Sequence, residues 1–396
     1  MCLNTLFLQR MLKRRSINIC FSMLVFCFPM ISLAQDSIRI SLLSCSPGTE
    51  LYSIFGHSAF RIKNYSSGQD VVYNYGTFNF NDKNFYLKFL SGKLNYYLSV
   101  TRFDRFMYEY TAENRSVYEQ VFSMNLAQKE KLYNDLRKNA LPENRAYKYD
   151  FFWDNCSTRM RDMIQSQYAD SLIYPVFNIK SFRSYLHDYL KDQPWSRFGI
   201  DLILGLPCDA PAGTREAMFL PLEMMKAYDS TFHEDKMIAS HSREILSAVD
   251  HVSKKNIFTP LLVSILILLV SLFLKQLKST KLWSNLFFII TGLAGCIIFF
   301  LWFLSDHLTT KNNLHFIWSN PLLLLYPFRH SIFTISQTRI LNTVYFIGLA
   351  LLILTFPISI QKMPLACVPL WLSLMVISWP ETVFYEKWKK NGRKKG

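Results

Sequence analysis

The sequence predicts an exported α+β domain followed by an all-α transmembrane bundle, and three observations predict it. A basic cluster leads into a short apolar run at the start, a stretch of mixed polarity rich in β-branched and aromatic runs follows, and from Ile257 onward long apolar runs alternate with short basic ones. The 396 residues and the apolar share of 50% average over these unlike parts.

The first part is a targeting segment. Lys13, Arg14 and Arg15 precede the apolar run Ile17 to Leu33, and Ser32-Leu33-Ala34 offers the small residues that a signal peptidase reads, so residues 1–34 are expected to be a cleaved signal peptide. The alternative is an uncleaved first span, against which Pro29 and the short apolar length argue. Neither Cys20 nor Cys27 follows the small residue that lipoprotein processing needs.

Residues 35–255 form the expected extracytoplasmic domain. Ile38 to Leu43, Ser58 to Lys63 and Val71 to Gly76 read as strands between turn residues such as Ser46-Pro47-Gly48 and Ser66-Ser67-Gly68. Leu126, Leu132 and Leu136 have helical spacing behind a cap at Asn125, which predicts a helix over Leu126 to Asn139. The polar segment Asp229 to Lys255 reads as a helix or a tether to the membrane.

Residues 256–383 carry the candidate spans Ile257 to Leu274, Leu286 to Leu304, Leu314 to Phe328, Val344 to Ile358 and Leu365 to Ile377. Five crossings put Lys275 to Lys281, Arg329 to Arg339 and the basic tail, residues 384–396, in the cytoplasm. A third segment that only dips in around Asn320-Pro321 would put that tail outside, so five crossings are favoured. The polar loop Asp306 to Asn313 then lies on the side of the exported domain, as part of a site or as a plain connection. The net charge of +15 gathers beside apolar runs, at Lys13 to Arg15, at Lys275, Lys278 and Lys281, and in the tail. Topology and anionic headgroups account for it, and without an aromatic-basic reader motif no nucleic-acid partner is expected.

Two blocks carry chemistry: Ser53-Ile54-Phe55-Gly56-His57-Ser58-Ala59-Phe60-Arg61 and Tyr149-Asp150-Phe151-Phe152-Trp153-Asp154-Asn155-Cys156-Ser157-Thr158-Arg159. His57, opening a strand after Gly56, offers a base. Cys156 follows two good helix caps, Asp154 and Asn155, and so falls in a first turn, where free N–H groups, the helix dipole and a nearby imidazolium favour thiolate. That is the chemistry of cysteine acyl transfer, against a bland reading of Cys156 as a core cysteine. Asn74, on the next strand, is the candidate third residue that fixes the imidazole, although Tyr73 and Tyr75 point opposite to it by alternation. Arg159, a turn beyond Cys156, would bind an anionic headgroup or form an ion pair. Cys45, Cys156 and Cys208 are an odd set for an oxidising compartment; a Cys45 to Cys208 disulfide would leave Cys156 free, and buried thiols are the alternative. His233 and His241 have no ligand-like companions, so neither a metal nor a cofactor is expected. Tyr96, Tyr97, Phe103, Phe106 and Tyr108 read as an interfacial aromatic surface or as sheet core.

The run Ser46-Pro47-Gly48-Thr49-Glu50-Leu51-Tyr52-Ser53-Ile54-Phe55-Gly56-His57-Ser58-Ala59 and the block Asp154-Asn155-Cys156-Ser157-Thr158-Arg159 resemble the Lnb family of bacterial lipoprotein N-acyltransferases. The resemblance is specific in these blocks, looser elsewhere, and extends to the layout of an exported domain with a C-terminal bundle. The His-before-Cys order and the Asn-Cys pair are also similar to the permuted papain-like (NlpC and lecithin:retinol acyltransferase) fold. What the resemblance implies is an inner-membrane, multi-pass enzyme with its catalytic domain in the periplasm. It would move a fatty acyl group from a membrane phospholipid, through an S-acyl intermediate on Cys156 with His57 as base, to the N-terminal amine of lipid-modified lipoproteins. A cell-wall cysteine peptidase or amidase, and a non-catalytic membrane sensing module, are the alternatives.

Overall fold

The β-branched and aromatic runs of the first half pair into one sheet. The computed structural model describes residues 38–379 apart from 51, 170, 250–256 and 278–279, so the expected signal peptide and basic tail lie outside the described residues. Strands β1 (Ile38–Cys45), β2 (His57–Asn64), β3 (Gln69–Thr77), β4 (Asn95–Arg102), β5 (Val117–Val121), β6 (Ala146–Lys148) and β7 (Arg243–Leu246) form a seven-stranded sheet in the order β7-β5-β1-β2-β3-β4-β6. Hairpin β2–β3 is antiparallel with Phe60 opposite Tyr73. The segment read as a helix or tether thus contributes an edge strand instead: Arg243 and Glu244 pair with Glu119 and Tyr118 of β5, and the Asp229 carboxylate accepts from Ser242 and Gln120. Burial of Glu119 beneath Arg61, 3.1 Å away, gives this edge a charged partner that polarity counting alone does not reveal.

The helices of six residues or more in this half are, in chain order, α1 (Phe85–Leu90), α2 (Phe103–Ala112), α3 (Leu126–Asn139), α4 (Cys156–Gln165), α5 (Phe182–Tyr189), α6 (Pro194–Ile203) and α7 (Pro221–Tyr228), of which α2 and α4 pack on opposite faces of the sheet. Phe106 and Tyr110 of α2 pack with Leu43, Cys45, Ala59 and Val72, while α4 packs on β2 and β3 from the side on which Ser58 meets Ser157. Alternation along β2 separates Ser58 and Ala59 in this way. The predicted helix at Leu126 forms, with a capping box between Asn125 and Gln128 and with Leu132 and Leu136 buried, whereas Leu126 is exposed. Of the aromatic set, Tyr96 and Phe106 are core and Tyr108 is exposed.

Four further helices are apolar: α8 (Pro260–Gln276), α9 (Lys281–Phe299), α10 (Ile335–Thr355) and α11 (Cys367–Ser378). The helical stretches Lys281–Leu304 and Ile335–Ile358, 24 residues each, are long and apolar enough to cross a membrane, and α8 and α11 are shorter. At about 1.5 Å per residue each long stretch reaches about 36 Å, more than a hydrocarbon core.

The third expected span is not such a helix. Leu314–Ile317 and Pro321–Phe328 are 3-10 segments, because Pro321 starts the second and Pro327 removes an amide inside it. They run antiparallel to α9: Phe316 meets Phe299, Asn320 meets Gly295, Leu324 meets Gly292, and the Tyr326 ring stacks on Phe288 at 3.6 Å. A Cβ at Gly295 would collide with the Asn320 backbone, and one at Gly292 would stand 2.9 Å from Leu324. Ser319 donates to the Thr291 carbonyl at 2.7 Å and Tyr345 to the Trp318 carbonyl at 2.8 Å, so side chains satisfy carbonyls within an apolar bundle.

The loop Asp306 to Asn313 is a fastening between sheet domain and bundle. Gly205 N–H donates to the Thr309 carbonyl at 2.8 Å, Asn313 Nδ2 to the Leu202 carbonyl at 2.8 Å, and Gln361 Nε2 to the Leu204 carbonyl at 3.2 Å. Beneath it Arg183, 1% exposed, pairs with Asp201 at 3.0 Å and Asp209 at 2.9 Å and donates to the carbonyls of Leu204 and Gly205. These contacts bury Thr309, Thr310 and Asn313, which accounts for the polarity of the loop.

Candidate active site

Asn155 is the residue that places Cys156. Its Oδ1 accepts the Thr158 N–H at 2.9 Å, Thr158 Oγ1 accepts the Asn155 N–H at 2.8 Å, and its Nδ2 donates to the carbonyls of Phe151 and Phe219. Every polar atom of this side chain is therefore committed to fixing the start of α4. Ahead of it, Asp150 and Asp154 exchange backbone hydrogen bonds at 3.1 and 3.0 Å and close the 150–154 loop. Cys156 emerges as the first residue of the helix, half-buried and unpaired.

His57 arrives from the opposite wall. Gly56, at φ +81°, has no room for a Cβ, which would stand 2.6 Å from the Cys45 carbonyl, and it turns the chain into β2 at His57. Ser58 joins the two elements: its hydroxyl is 3.0 Å from that of Ser157, and its backbone N–H reaches the Cys156 sulfur. The structure thus brings Cys156 to the strand residue that follows His57.

Asn74 completes the arrangement. Its Nδ2 donates to the Val72 carbonyl and to Thr101 Oγ1, both at 3.3 Å, which turns Oδ1 toward His57 Nε2 at 3.4 Å. A carbonyl only accepts, so Oδ1 must be the atom that faces the ring and Nε2 must carry the proton. Nδ1 is then the basic nitrogen, and among the described residues it makes no hydrogen bond. One step on from Phe60 opposite Tyr73, Ala59 faces Asn74, and His57 lies two residues along the same face. Beyond Asn74 a register shift carries Gly76, at φ +88°, past Cys156: a Cβ there would lie 3.7 Å from the Cys156 Cβ.

The electrostatics differ from the expected ion pair. Burial pushes the Cys156 thiol up, opposed by hydrogen bonds from Ser58 and Ser157. Burial lowers His57 to about 4, helped by the Arg115 charge and opposed by Asn74. The free N–H groups of a first turn are therefore outweighed by desolvation, which favours a neutral thiol and a neutral imidazole.

Arg159 is not an open cation. Its Nη2 pairs with Asp154 Oδ2 at 2.8 Å, its Nε with the other oxygen, and its guanidinium lies 3.6 Å over the Tyr147 ring. Cys45 and Cys208 are buried free thiols, each raised to about 12 by burial, and Cys208 donates to the Thr309 carbonyl; no disulfide joins them. One residue at the site, Tyr147, escaped sequence reasoning. Its Oη is buried without a hydrogen-bond partner and stands 3.9 Å from the Cβ position at Gly76, and Cε2 of Tyr149, the first residue of the Cys block, stands 4.0 Å from that position. The only sequence signal for Tyr147 is its placement just ahead of that block. Among the described residues no three His, Cys, Asp or Glu side chains group as a metal site.

Two known domain families match separate parts of the chain. Residues 31–186 match the Lnb N-terminal periplasmic domain, and residues 252–388 match the Lnb transmembrane domain. No curated protein and no solved structure matches the chain. One match covers the strands and helices that carry His57, Asn74 and Cys156 and the other the apolar helices, so the chain belongs to the Lnb family and is a membrane protein with a periplasmic N-terminal domain.

Proposed function

We propose that this protein is a cysteine-dependent lipoprotein N-acyltransferase of the inner membrane. In this reading residues 1–34 are a signal peptide, 35–255 a permuted papain-like catalytic domain, 256–383 a multi-pass bundle of five crossings, and 384–396 a cytoplasmic tail. The observation that carries it is the site itself: a thiol at the start of a fully capped helix, hydrogen-bonded to the residue beside His57, whose tautomer Asn74 fixes with Nδ1 free.

The chemistry follows from those protonation states. His57 Nδ1 takes the thiol proton as Cys156 Sγ attacks the ester carbonyl of a phospholipid, and returns it to the departing lysophospholipid oxygen. The acceptor amine of a lipid-modified lipoprotein then attacks the thioester, gives a proton to His57, and expels Cys156, which regains that proton. One ester bond is exchanged for one amide, with no cofactor. The N–H of Cys156 and the unpartnered Tyr147 hydroxyl are the donors for the oxyanion. Arg159 holds Tyr147 in place through ring stacking. A membrane anchor suits substrates that both reside in the bilayer, because it converts a volume search into a surface encounter.

The test is intact mass spectrometry of a lipoprotein N-terminal peptide from cells whose only copy of the gene is wild type, Cys156→Ala or His57→Ala. Loss of one amide-linked acyl group in both variants, at equal protein levels, is expected. An unchanged peptide would overturn the reading and favour wall hydrolysis by the same Cys and His, or a sensing module if the Cys156→Ala cell is normal in every respect.

A further inference from the structure

Helix α1 buries none of its six residues, Phe-Tyr-Leu-Lys-Phe-Leu. Tyr86 is 78% exposed and Leu87 58%, Phe89 and Leu90 are also exposed, and Phe80 just ahead is 61% exposed. The one charge in the helix, Lys88, is held by Asp82. Such a surface is costly in water and is the composition of a membrane-interface segment.

Its position says what covers it. The C-terminal end of α1 is bonded to residues that directly follow the apolar stretch Lys281–Leu304: Asp306 N–H donates to the Ser91 carbonyl at 2.9 Å, and His307 Nε2 donates to the Phe89 carbonyl at 2.9 Å. Gly92 leaves only 3.2 Å between its Cβ position and the Asp306 Cβ. The helix is therefore fastened at the height where a span leaves the hydrocarbon. Inward from it runs an unbroken series of rings: Phe89 stacks on Phe85 at 6.3 Å, Phe85 contacts Phe78 at 5.8 Å, Phe78 contacts Tyr96 at 5.3 Å, and Tyr96 stacks on Tyr149 at 4.3 Å. Tyr149 borders the Gly76 position that Cys156 also borders.

We propose that α1 lies in the periplasmic leaflet of the membrane and that the aromatic seam from Phe89 to Tyr149 is the path along which a lipid acyl chain reaches Cys156. The contact of α1 with the bilayer stands on exposure and position; the path for an acyl chain rests on the acyltransfer reading. Rings suit this work because they present flat apolar walls and lose little rotamer freedom when a flexible chain slides past.

The experiment uses the full chain in vesicles of phosphatidylethanolamine and phosphatidylglycerol. Replacement of Tyr86 by photoreactive p-benzoylphenylalanine, followed by illumination and mass spectrometry, is expected to give a phospholipid adduct, while the same replacement at Tyr65, 55% exposed on the β2–β3 turn, gives at most about a tenth as much. Equal adducts at both positions, no lipid at Tyr86, or adducts only to another protein would overturn the membrane contact. In the double variant Tyr86→Asp, Leu87→Asp, acylation of Cys156 by vesicle phospholipid should fall by about 10-fold, while acylation by a water-soluble short-chain ester is unchanged. An equal fall with both donors would overturn the path. A wild-type Cys156 acylated by neither donor would remove the acyltransfer reading and the path with it, leaving the photoadduct to judge the contact.

Discussion

Asn74 donates to Val72 and Thr101 with one end of its amide and presents the other to His57, so the orientation of one side chain decides which imidazole nitrogen is the base. Asn74→Ala should lower the rate of Cys156 acylation by about 100-fold, the size of a lost general-base alignment, with little change in donor KM. Asn74→Asp should keep the geometry and raise the His57 pKa through its negative charge, which moves the acid limb of the pH profile upward. Stopped-flow acylation across pH distinguishes the two, and identical profiles would sink the assignment.

The neutral pair makes a distinctive pH dependence. With His57 lowered to about 4, the base stays unprotonated through mildly acidic conditions, so acylation should hold down to about pH 5 instead of falling near 6.5. With the thiol raised, alkylation of Cys156 by iodoacetamide at pH 7 should be slower than that of a free cysteine and should lack the acidic plateau of a thiolate–imidazolium pair. For stability the sign is set by His57: the unfolded ring binds a proton below 6.5 and the folded one only near 4, so its contribution is complete above 6.5 and is lost as pH falls between these values.

Tyr147→Phe removes a hydroxyl that has no partner in the fold. Unfolding resistance should be unchanged or higher, while acyl transfer falls by about 100-fold if the hydroxyl meets the oxyanion. Parallel thermal scans and single-turnover rates check this, and an unaltered rate would remove Tyr147 from the chemistry.

Arg183→Ala strands Asp209 as a buried carboxylate beside the domain junction and leaves Asp201 to His187. The expected cost is about 3–5 kcal/mol, read as a lowered denaturant midpoint of the full chain in detergent.

Local rules made part of this molecule legible. Asp154-Asn155 announced a helix start, and Cys156 heads that helix because capping depends only on residues within one turn. The strand expected over Ser58 to Lys63 was legible from its own apolar alternation, and it begins one residue earlier, at His57. Asn74 was named but not oriented, since its facing depends on the register of β2 against β3, which turn residues alone do not disclose. The first-turn position speaks for a thiolate, whereas burial in the folded site pushes the thiol up and the imidazole down: desolvation is a property of the assembled walls, of which the sequence shows only one at a time. Tyr147 was missed because a three-residue edge strand with mixed polarity carries no periodic signal. The third apolar run was readable as apolar, but its two prolines select 3-10 turns only where Gly292 and Gly295 let the backbone come close.

On the proposed function, the hydrogen bonds from Gly205, Asn313 and Gln361 across the junction limit which amines can react. A periplasmic domain fastened in this way to a bundle that crosses the bilayer keeps a fixed altitude over it and does not lean out toward a folded client. On the proposed function, only an amine tethered within a few bonds of its own lipid can come to that altitude. Selectivity for the first residue of a lipoprotein over its many lysines would then be a matter of height, with no need to read the sequence that follows.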